Sequence, residues 1–571
     1  MASSRPLTDD ELRKLAENPF ESDEESSAEI DDVIISDHDT EDDASSLGSN
    51  DESDDGNDDF SPDDGWFFGK RLCYKWSKVA PGSTRTRSHN IIVRLPGTKN
   101  EAKNVGSSDI LSSWKLFVTE DMLEMILINT NIKISELKQK YGAPLPSFVK
   151  LLDMTELRAF IGLLYLSGVM KSNHENVQGL FANDGTGRDV FRATMNFQRF
   201  LFIMSCLRFD CAATRETRKA NDKLAAIREY WDCFIINCRR YYTPGKNVTI
   251  DEMLVPFRGR CSFRMYMPKK PAKYGLKIQC LCDSRTSYLC DAFVYTGKQN
   301  ITNKDLSIPT QDVLKLISTI QGTHRNITMD NWYVSIELCD QMKARGLTVL
   351  GTLKQNKPQI PVEFKSNRKR AVASTLFGHN KEKTICSYVP KKNRAVVLLS
   401  TMHQDQKIDE ETNKPDMILN YNLTKGGVDT LDQLCANYSV SRRTRRWPMA
   451  IFSTILNVAG VNSAIVLQCN SKNDTSDATT RRNLLKDLGM ALVKSHIERR
   501  DVRPLSRELR AVVIKLGGTP LPLNCFEVEP TRKARCSYCP RQKDTKTKNV
   551  CEKCRAHICP MHKHSVCENC L

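Results

Sequence analysis

Apolar positions recur along this chain at two different periods, and the change of period marks out its organisation. From about 114 to 245 they return every three or four residues, the spacing of helices with one buried face. Phe160, Ile161, Leu164 and Gly168 form one such stripe, and Phe197, Phe200, Leu201, Met204 and Leu207 repeat it. Asp153, three residues before Glu156, resembles a capping box at the start of the first. At about 246 the period shortens to two. Val248 and Ile250 alternate into Asp251, and Phe263–Met267, Leu276–Cys282 and Tyr288–Tyr295 read as further strands. Val313 to Ile320 reads as a helix. Asn326 to Met329 is a short strand that delivers Asp330, and the following helix runs to Arg345 and stops at Gly346. Thr348–Leu350 makes another strand. Residues from roughly 354 to 415 are Lys-rich and hold one more, Ala395–Leu399. Helical stripes resume from about 447 to 515, and Gly517-Gly518-Thr519-Pro520 marks a linker.

Three strands, a helix, a strand, a helix and a strand is the order of a ribonuclease-H-like α/β fold. The region 354–415 then reads as an insertion before the last catalytic helix. At 571 residues the chain exceeds what one core usually serves, so more than one domain is expected. No apolar run approaches the roughly 20 residues needed to span a bilayer, and the N-terminus is acidic where a signal peptide would be basic and then apolar. A soluble intracellular protein with no membrane partner is expected. Its 21 cysteines are accordingly read as thiols and metal ligands.

Charge changes this picture most. Residues 1–65 carry 24 Asp and Glu against Arg5, Arg13 and Lys14, a net of −21, so the remainder carries +36 within a whole-chain charge of +15. A body that basic calls for a polyanion, and DNA phosphate is the obvious one. An evenly solvated basic surface is the plainer alternative. The acidic segment, almost without aromatics, reads as disordered. It would serve as an internal mimic of DNA or simply as a solubilising tail, and Ser22 and Ser53, each followed by acids, resemble acid-directed kinase sites.

Within the basic body, four aspartates stand out. Two-metal phosphoryl transfer needs carboxylates from separate elements converging on one point, and hard Mg²⁺ is satisfied by a few of them with water and phosphate. Asp251 closes a strand in Thr249-Ile250-Asp251-Glu252. Asp330 follows another in Thr328-Met329-Asp330-Asn331-Trp332. Asp429 and Asp432, three apart in Gly426-Gly427-Val428-Asp429-Thr430-Leu431-Asp432, would share one helix face. Each alone reads equally as a solvated turn or cap residue; their joint placement points to a metal site of some phosphoryl-transfer enzyme.

The words around these acids are more specific. Thr249-Ile250-Asp251-Glu252, Phe257-Arg258-Gly259-Arg260-Cys261, Phe263-Arg264-Met265-Tyr266-Met267-Pro268 and Lys270-Pro271-Ala272-Lys273-Tyr274-Gly275-Leu276-Lys277 resemble the first block of piggyBac transposases. Tyr421-Asn422-Leu423-Thr424-Lys425-Gly426-Gly427-Val428-Asp429, running on to Arg446-Trp447-Pro448-Met449, resembles the third. The resemblance covers most of the chain from about 114 onward. It implies a dimeric cut-and-paste DNA transposase that excises an element with terminal inverted repeats through hairpin ends and integrates it at TTAA. Asp251, Asp330, Asp429 and Asp432 would be its catalytic residues on two Mg²⁺ or Mn²⁺ ions. The alternative is a domesticated host DNA-binding protein derived from such an enzyme, which need not keep the four acids. Arg258, Arg260, Lys273, Lys277 and Lys425 beside the motifs are candidates to hold phosphates, though each taken singly reads more readily as a plain exposed charge. Trp447, after Arg442-Arg443 and Arg445-Arg446, is a candidate to stack on a flipped base or to pack in the core.

The last 40 residues carry four consecutive ligand pairs: Cys536 with Cys539, Cys551 with Cys554, Cys559 with His562, and Cys567 with Cys570. Eight such ligands close two tetrahedral Zn²⁺ sites, whose binding would supply much of the folding free energy of so short a module. The resemblance implies cross-brace pairing, first with third and second with fourth; spacing alone leaves sequential pairing open, and His557 or His564 could replace His562. Arg532, Lys533, Arg535, Arg541, Lys543, Lys546 and Lys548 surround the first pair. Cross-braces also occur in ubiquitin ligases and histone readers, but in piggyBac relatives this region recognises terminal repeats and carries a nuclear import signal, so a nuclear location is expected. Cys206, Cys280 and Cys282 read as buried thiols. The organisation expected is an acidic tail (1–65), a linker (66–113), a helical dimerisation and DNA-binding domain in two parts (114–245 and 443–515), a catalytic domain in two parts (246–353 and 416–442) around the insertion (354–415), a linker (516–531) and the cysteine-rich zinc domain (532–571).

Overall fold

The two-residue period beyond 246 becomes a sheet in the computed structural model, which describes residues 65–72, 74–82, 90–297, 306–471, 478–520, 533–551 and 556–563 and the backbone of Ile34–Ile35. In chain order the first strands are β1 (Ile34–Ile35), β2 (Trp66–Phe68), β3 (Lys75–Ser77), β4 (Gly97–Thr98) and β5 (Tyr242–Thr243). Those of the catalytic region are β6 (Asn247–Pro256), β7 (Met265–Tyr266), β8 (Tyr274–Asp283), β9 (Leu289–Val294), β10 (Asn326–Met329) and β11 (Thr348–Thr352). The insertion adds β12 (Thr375–Asn380), β13 (Lys383–Lys391) and β14 (Arg394–Ser400).

β6, β8 and β9 pair antiparallel, while β10 runs parallel to β6 and β11 parallel to β10. Parallel neighbours need a crossover, and helices Ile308–Leu316 and Ile336–Ala344 supply the chain for it. The order β9-β8-β6-β10-β11 is the ribonuclease-H-like arrangement expected. β9 is buried throughout and β8 beyond Tyr274, so both faces of the sheet are covered there. The first crossover helix starts five residues earlier than the sequence pattern suggested. Ser307 caps it by accepting from the Thr310 amide, and Pro309 sits in its first turn. Gly346 ends the second helix at φ +62°, a conformation that glycine adopts freely.

The insertion continues the sheet. β14 pairs antiparallel with β11, placing Ser400 opposite Leu350, and β13 and β12 follow. Trp66–Phe68 and Lys75–Ser77, expected as linker, instead pair as β2 and β3, which extend the same sheet from β12 and bury Trp76 completely. Of the acidic tail, Ile34–Ile35 run parallel to Met265–Tyr266; its other expectations fall outside the described residues.

In the helical region Asp153 caps helix Met154–Val169 by accepting from the Glu156 amide at 3.0 Å. The box is only half made, because the Glu156 carboxylate faces Arg199 at 2.7 Å in a buried pair. Helix Trp447–Asn470 corrects one expectation: it is long and apolar enough to cross a membrane. It is a core helix, since 89% of its apolar window is buried within the fold. Two compact units result, one of residues 1–180 and 196–493, the other of 181–195 and 494–571.

Candidate active site

Register brings the first two aspartates together. Thr328 of β10 lies directly opposite Thr249 of β6, so Asp330, just past the end of β10, and Asp251, inside β6, stand at the same level. β6 does not close at Asp251 as expected but runs on to Pro256, because it stays paired with β8 that far. Asp251 Oδ1 accepts from the Glu252 amide at 2.8 Å, and Asp330 Oδ1 accepts from the Trp332 amide at 3.0 Å. The turn after Asp330 is pinned by Tyr333, whose buried hydroxyl donates to Gln279 Oε1 on β8.

Threonines draw the third element in. Helix Asp416–Thr424 ends where helix Gly427–Asn437 begins, and that junction rests on both strands. Thr249 donates to the Thr424 carbonyl at 2.7 Å, and the Thr328 and Thr424 hydroxyls meet at 2.8 Å. Gly427 is required by the closeness of the approach: a Cβ there would lie 2.5 Å from Thr249 Oγ1. Asp429 thereby stands in the first helical turn, its side chain 70% exposed, and Asp432 follows one turn on, half-buried.

The electrostatics record the convergence. Burial, then the Glu252 and Asp330 carboxylates, push the Asp251 carboxyl well above the usual carboxylate range, with Lys270 partly opposing. Burial likewise raises Asp432, against Lys270 and with Asp429. Burial pushes the Tyr421 hydroxyl up to about 12, with Asp330, Asp251 and Asp429 adding to it. Two charged groups join the four that the sequence singled out. Glu252 is buried beside Asp251. The Lys270 ammonium lies 3.1 Å from the Glu252 carbonyl, 3.8 Å from Glu252 Oε1 and 3.9 Å from Asp429 Oδ1. Nothing in the spacing singles these two out: Glu252 adjoins Asp251 on a strand, where successive side chains point to opposite faces, and Lys270, though inside a recognised word, is one of many lysines.

Four carboxylates, Asp251, Glu252, Asp429 and Asp432, act on the Lys270 ammonium, and Asp330 acts on Asp251, which makes an oxygen-rich, electron-rich site with the donor chemistry that Mg²⁺ or Mn²⁺ prefers. Of the basic candidates, Arg258, Arg260, Lys273 and Lys425 are exposed near the motifs. Lys277 is not: it is buried, and its ammonium sits over the Trp332 ring, which Lys354 also faces. Trp447 packs edge-on against Phe263 at 5.1 Å. Arg442 and Arg446 are committed to backbone carbonyls of the helical region, whereas Arg443 and Arg445 are exposed. Cys206, Cys280 and Cys282 are buried thiols raised by burial.

In the second unit Cys536, Cys539, Cys559 and His562 converge, with all four ligand atoms within 4.8 Å of one another. Cys539 Sγ lies 3.7 Å from Cys559 Sγ, and His562 Nδ1 is 3.3 Å from Cys559 Sγ. Sulfurs about 2.3 Å from a tetrahedral zinc are separated by about 3.8 Å, so this cluster fits that ion. The first ligand pair thus faces the third, as cross-brace pairing requires. His557 Nδ1 is instead 3.1 Å from the Thr547 carbonyl. Cys554, His564, Cys567 and Cys570 lie outside the described residues; Cys551 is half-buried and outside the cluster. Lys533, Arg541, Lys543, Lys546 and Lys548 are exposed around it.

Known proteins resemble this chain. A family model described as Transposase IS4 matches residues 111–464. Human PiggyBac transposable element-derived protein 3 is 23% identical over 350 residues, covering 58% of this chain and 57% of that protein. Human PiggyBac transposable element-derived protein 2 is 24% identical over 328 residues, covering 54% of each. The chain therefore spans little more than half the length of these curated relatives. A piggyBac transposase solved by cryo-EM as a synaptic complex with hairpin DNA is 35% identical, with a TM-score of 0.74 over 84% of this chain and 100% of that one.

Proposed function

The chain belongs to the piggyBac transposase family, and from that premise we propose that it is an active cut-and-paste enzyme whose catalytic groups are Asp251, Asp330, Asp429 and Asp432. The observation that carries this reading is the convergence of acids from β6, β10 and helix Gly427–Asn437 on one point. Two divalent ions bound there would neutralise charge on the scissile phosphate and activate the attacking oxygen. The chain's own residues do the positioning. Thr249, Thr328 and Thr424 set the height of the acids, the Tyr333–Gln279 hydrogen bond holds the Asp330 turn, and exposed Arg258, Arg260, Lys273 and Lys425 hold DNA phosphates.

The substrate is double-stranded DNA bearing terminal inverted repeats. Water attacks first at each transposon end; the freed 3′-hydroxyl then attacks the opposite strand to close a hairpin, and the resolved ends join a TTAA target. A homodimer, acting in the nucleus of a eukaryotic host, brings the two ends together. The zinc module, with two ions and its exposed Lys and Arg, reads the repeats. The synaptic complex of the 35% identical relative, which holds hairpin DNA, supports the hairpin route.

A second reading has support in the curated relatives, which are described as derived from transposable elements: a host DNA-binding protein on the same fold. Excision of a donor plasmid carrying matched terminal repeats, with Mg²⁺, separates the two. Wild type should restore an intact TTAA and Asp330→Asn should be inactive. DNA binding without excision by wild type would favour the second reading, and equal excision by both proteins would overturn the metal assignment.

A further inference from the structure

Lys270 is the one described lysine whose ammonium lies among the candidate metal ligands. Its backbone is fixed by a closed turn between β7 and β8: Met267 donates to the Lys273 carbonyl at 2.7 Å, Lys270 to that of Met267 at 3.1 Å, and Lys273 to that of Lys270 at 3.1 Å. From that turn the side chain reaches across to two elements of the site. It donates to the Glu252 carbonyl on β6, lies beside Glu252 Oε1, and extends to Asp429 Oδ1 on the acid-bearing helix.

The two ends of this bridge differ. Glu252 is buried, its side chain 5% exposed, whereas the Asp429 side chain is 70% exposed and Lys270 itself 23%. An ammonium so placed can leave Asp429 toward solvent while keeping its hold on Glu252. The contrast with Arg199 and Glu156 is plain: that pair is 3% and 2% exposed, and Arg199 also donates to the Phe148 and Lys150 carbonyls, so it is a fixed structural element.

We propose that Lys270 is the resident counter-cation of the metal-free site: anchored on Glu252, it occupies the charge position beside Asp429, holds the acids together before metal loads, and yields that position when a divalent ion binds. It is a positioning residue, and it sets metal affinity by competition. Without it the carboxylates would repel one another in the empty site and bind metal more avidly, since metal would then be their only compensating charge. The proposal rests on the reading of these acids as a metal site.

Calorimetric titration of the full chain with Mn²⁺, without DNA, tests it. Lys270→Met should bind Mn²⁺ about tenfold more tightly than wild type and melt lower in EDTA, with a wider gap between its EDTA and Mn²⁺ melting temperatures. Lys270→Arg, which keeps the charge, should resemble wild type in both. Should Lys270→Met fail to fold, Glu252→Gln/Lys270→Met removes one charge of each sign and should bind Mn²⁺ more tightly than Glu252→Gln alone. Unchanged or weaker affinity on loss of the ammonium would overturn the role of Lys270. Unchanged affinity in Asp330→Asn would instead overturn the metal-site reading beneath it.

Discussion

The hydroxyl of Thr328, two residues before Asp330, meets the hydroxyl of Thr424 at 2.8 Å across the junction of two helices. Because Thr249 donates to the carbonyl of that same Thr424, one residue ties the strands bearing Asp251 and Asp330 to the helix bearing Asp429 and Asp432. Removing the Thr424 hydroxyl while keeping its shape should loosen that tie. Thr424→Val is expected to lose about 1–3 kcal/mol in urea unfolding. Its DNA cleavage should fall about tenfold or more at a temperature where the chain remains folded, since small misplacements of catalytic groups are costly. Thr424→Ser should retain both properties. Wild-type cleavage by folded Thr424→Val would show that the link does not position the acids.

The raised Asp251 carboxyl makes a prediction of definite sign. Burial, then Glu252 and Asp330, place its folded value above the unfolded one, so the folded metal-free chain holds this proton more tightly. The stability this brings is fully present below the unfolded carboxylate range and is lost as pH rises through the raised folded value. In EDTA, Asp251→Asn, which stays neutral, should melt above wild type at about pH 8, and the gap should close toward about pH 4. With Mn²⁺ the order should reverse, because only wild type gains from the ion. A gap independent of pH would contradict the assignment.

The cysteine-rich end predicts a pattern of zinc contents. Cys559→Ser and His562→Ala each disrupt the cluster with Cys536 and Cys539, so each should cost about one zinc per chain of the two expected. His557→Ala should keep both, because that ring is hydrogen-bonded to the Thr547 carbonyl. Elemental analysis of the purified proteins decides between these histidines.

Four neighbouring arginines should divide into two kinds. Arg442 donates to the carbonyls of Ser172 and Glu175, and Arg446 to those of Met204, Ser205 and Leu207. Replacing either by Met should lower stability by about 1.5–3 kcal/mol, the range for hydrogen bonds to charged groups. Arg443 and Arg445 are exposed. Replacing either should leave the melting temperature unchanged and weaken DNA binding, with the salt dependence of the affinity falling by about one phosphate contact. Equal effects on stability from all four would refute the division.

The sequence by itself determined a good deal of this protein. Strand Asn326–Met329 could be read to both ends, because its β-branched residues stand between a turn and an acid. The stop at Gly346, the spacing of the zinc ligands and the family words around the aspartates were equally legible, since each depends on residues close together in the chain. Tertiary structure decided what depends on distant partners. It sent Glu156 to Arg199 instead of back to its own cap, buried helix Trp447–Asn470 in the core, and drew Trp66–Phe68 and Lys75–Ser77 into the sheet. It placed Cys536 and Cys539 beside Cys559 and His562, a pairing that spacing leaves open. It also separated two lysines seven positions apart: Lys277 lies buried over Trp332, while Lys270 reaches the acids. Their chemistry is identical, and only the turn after β7 and the burial of β8 decide which charge meets the site.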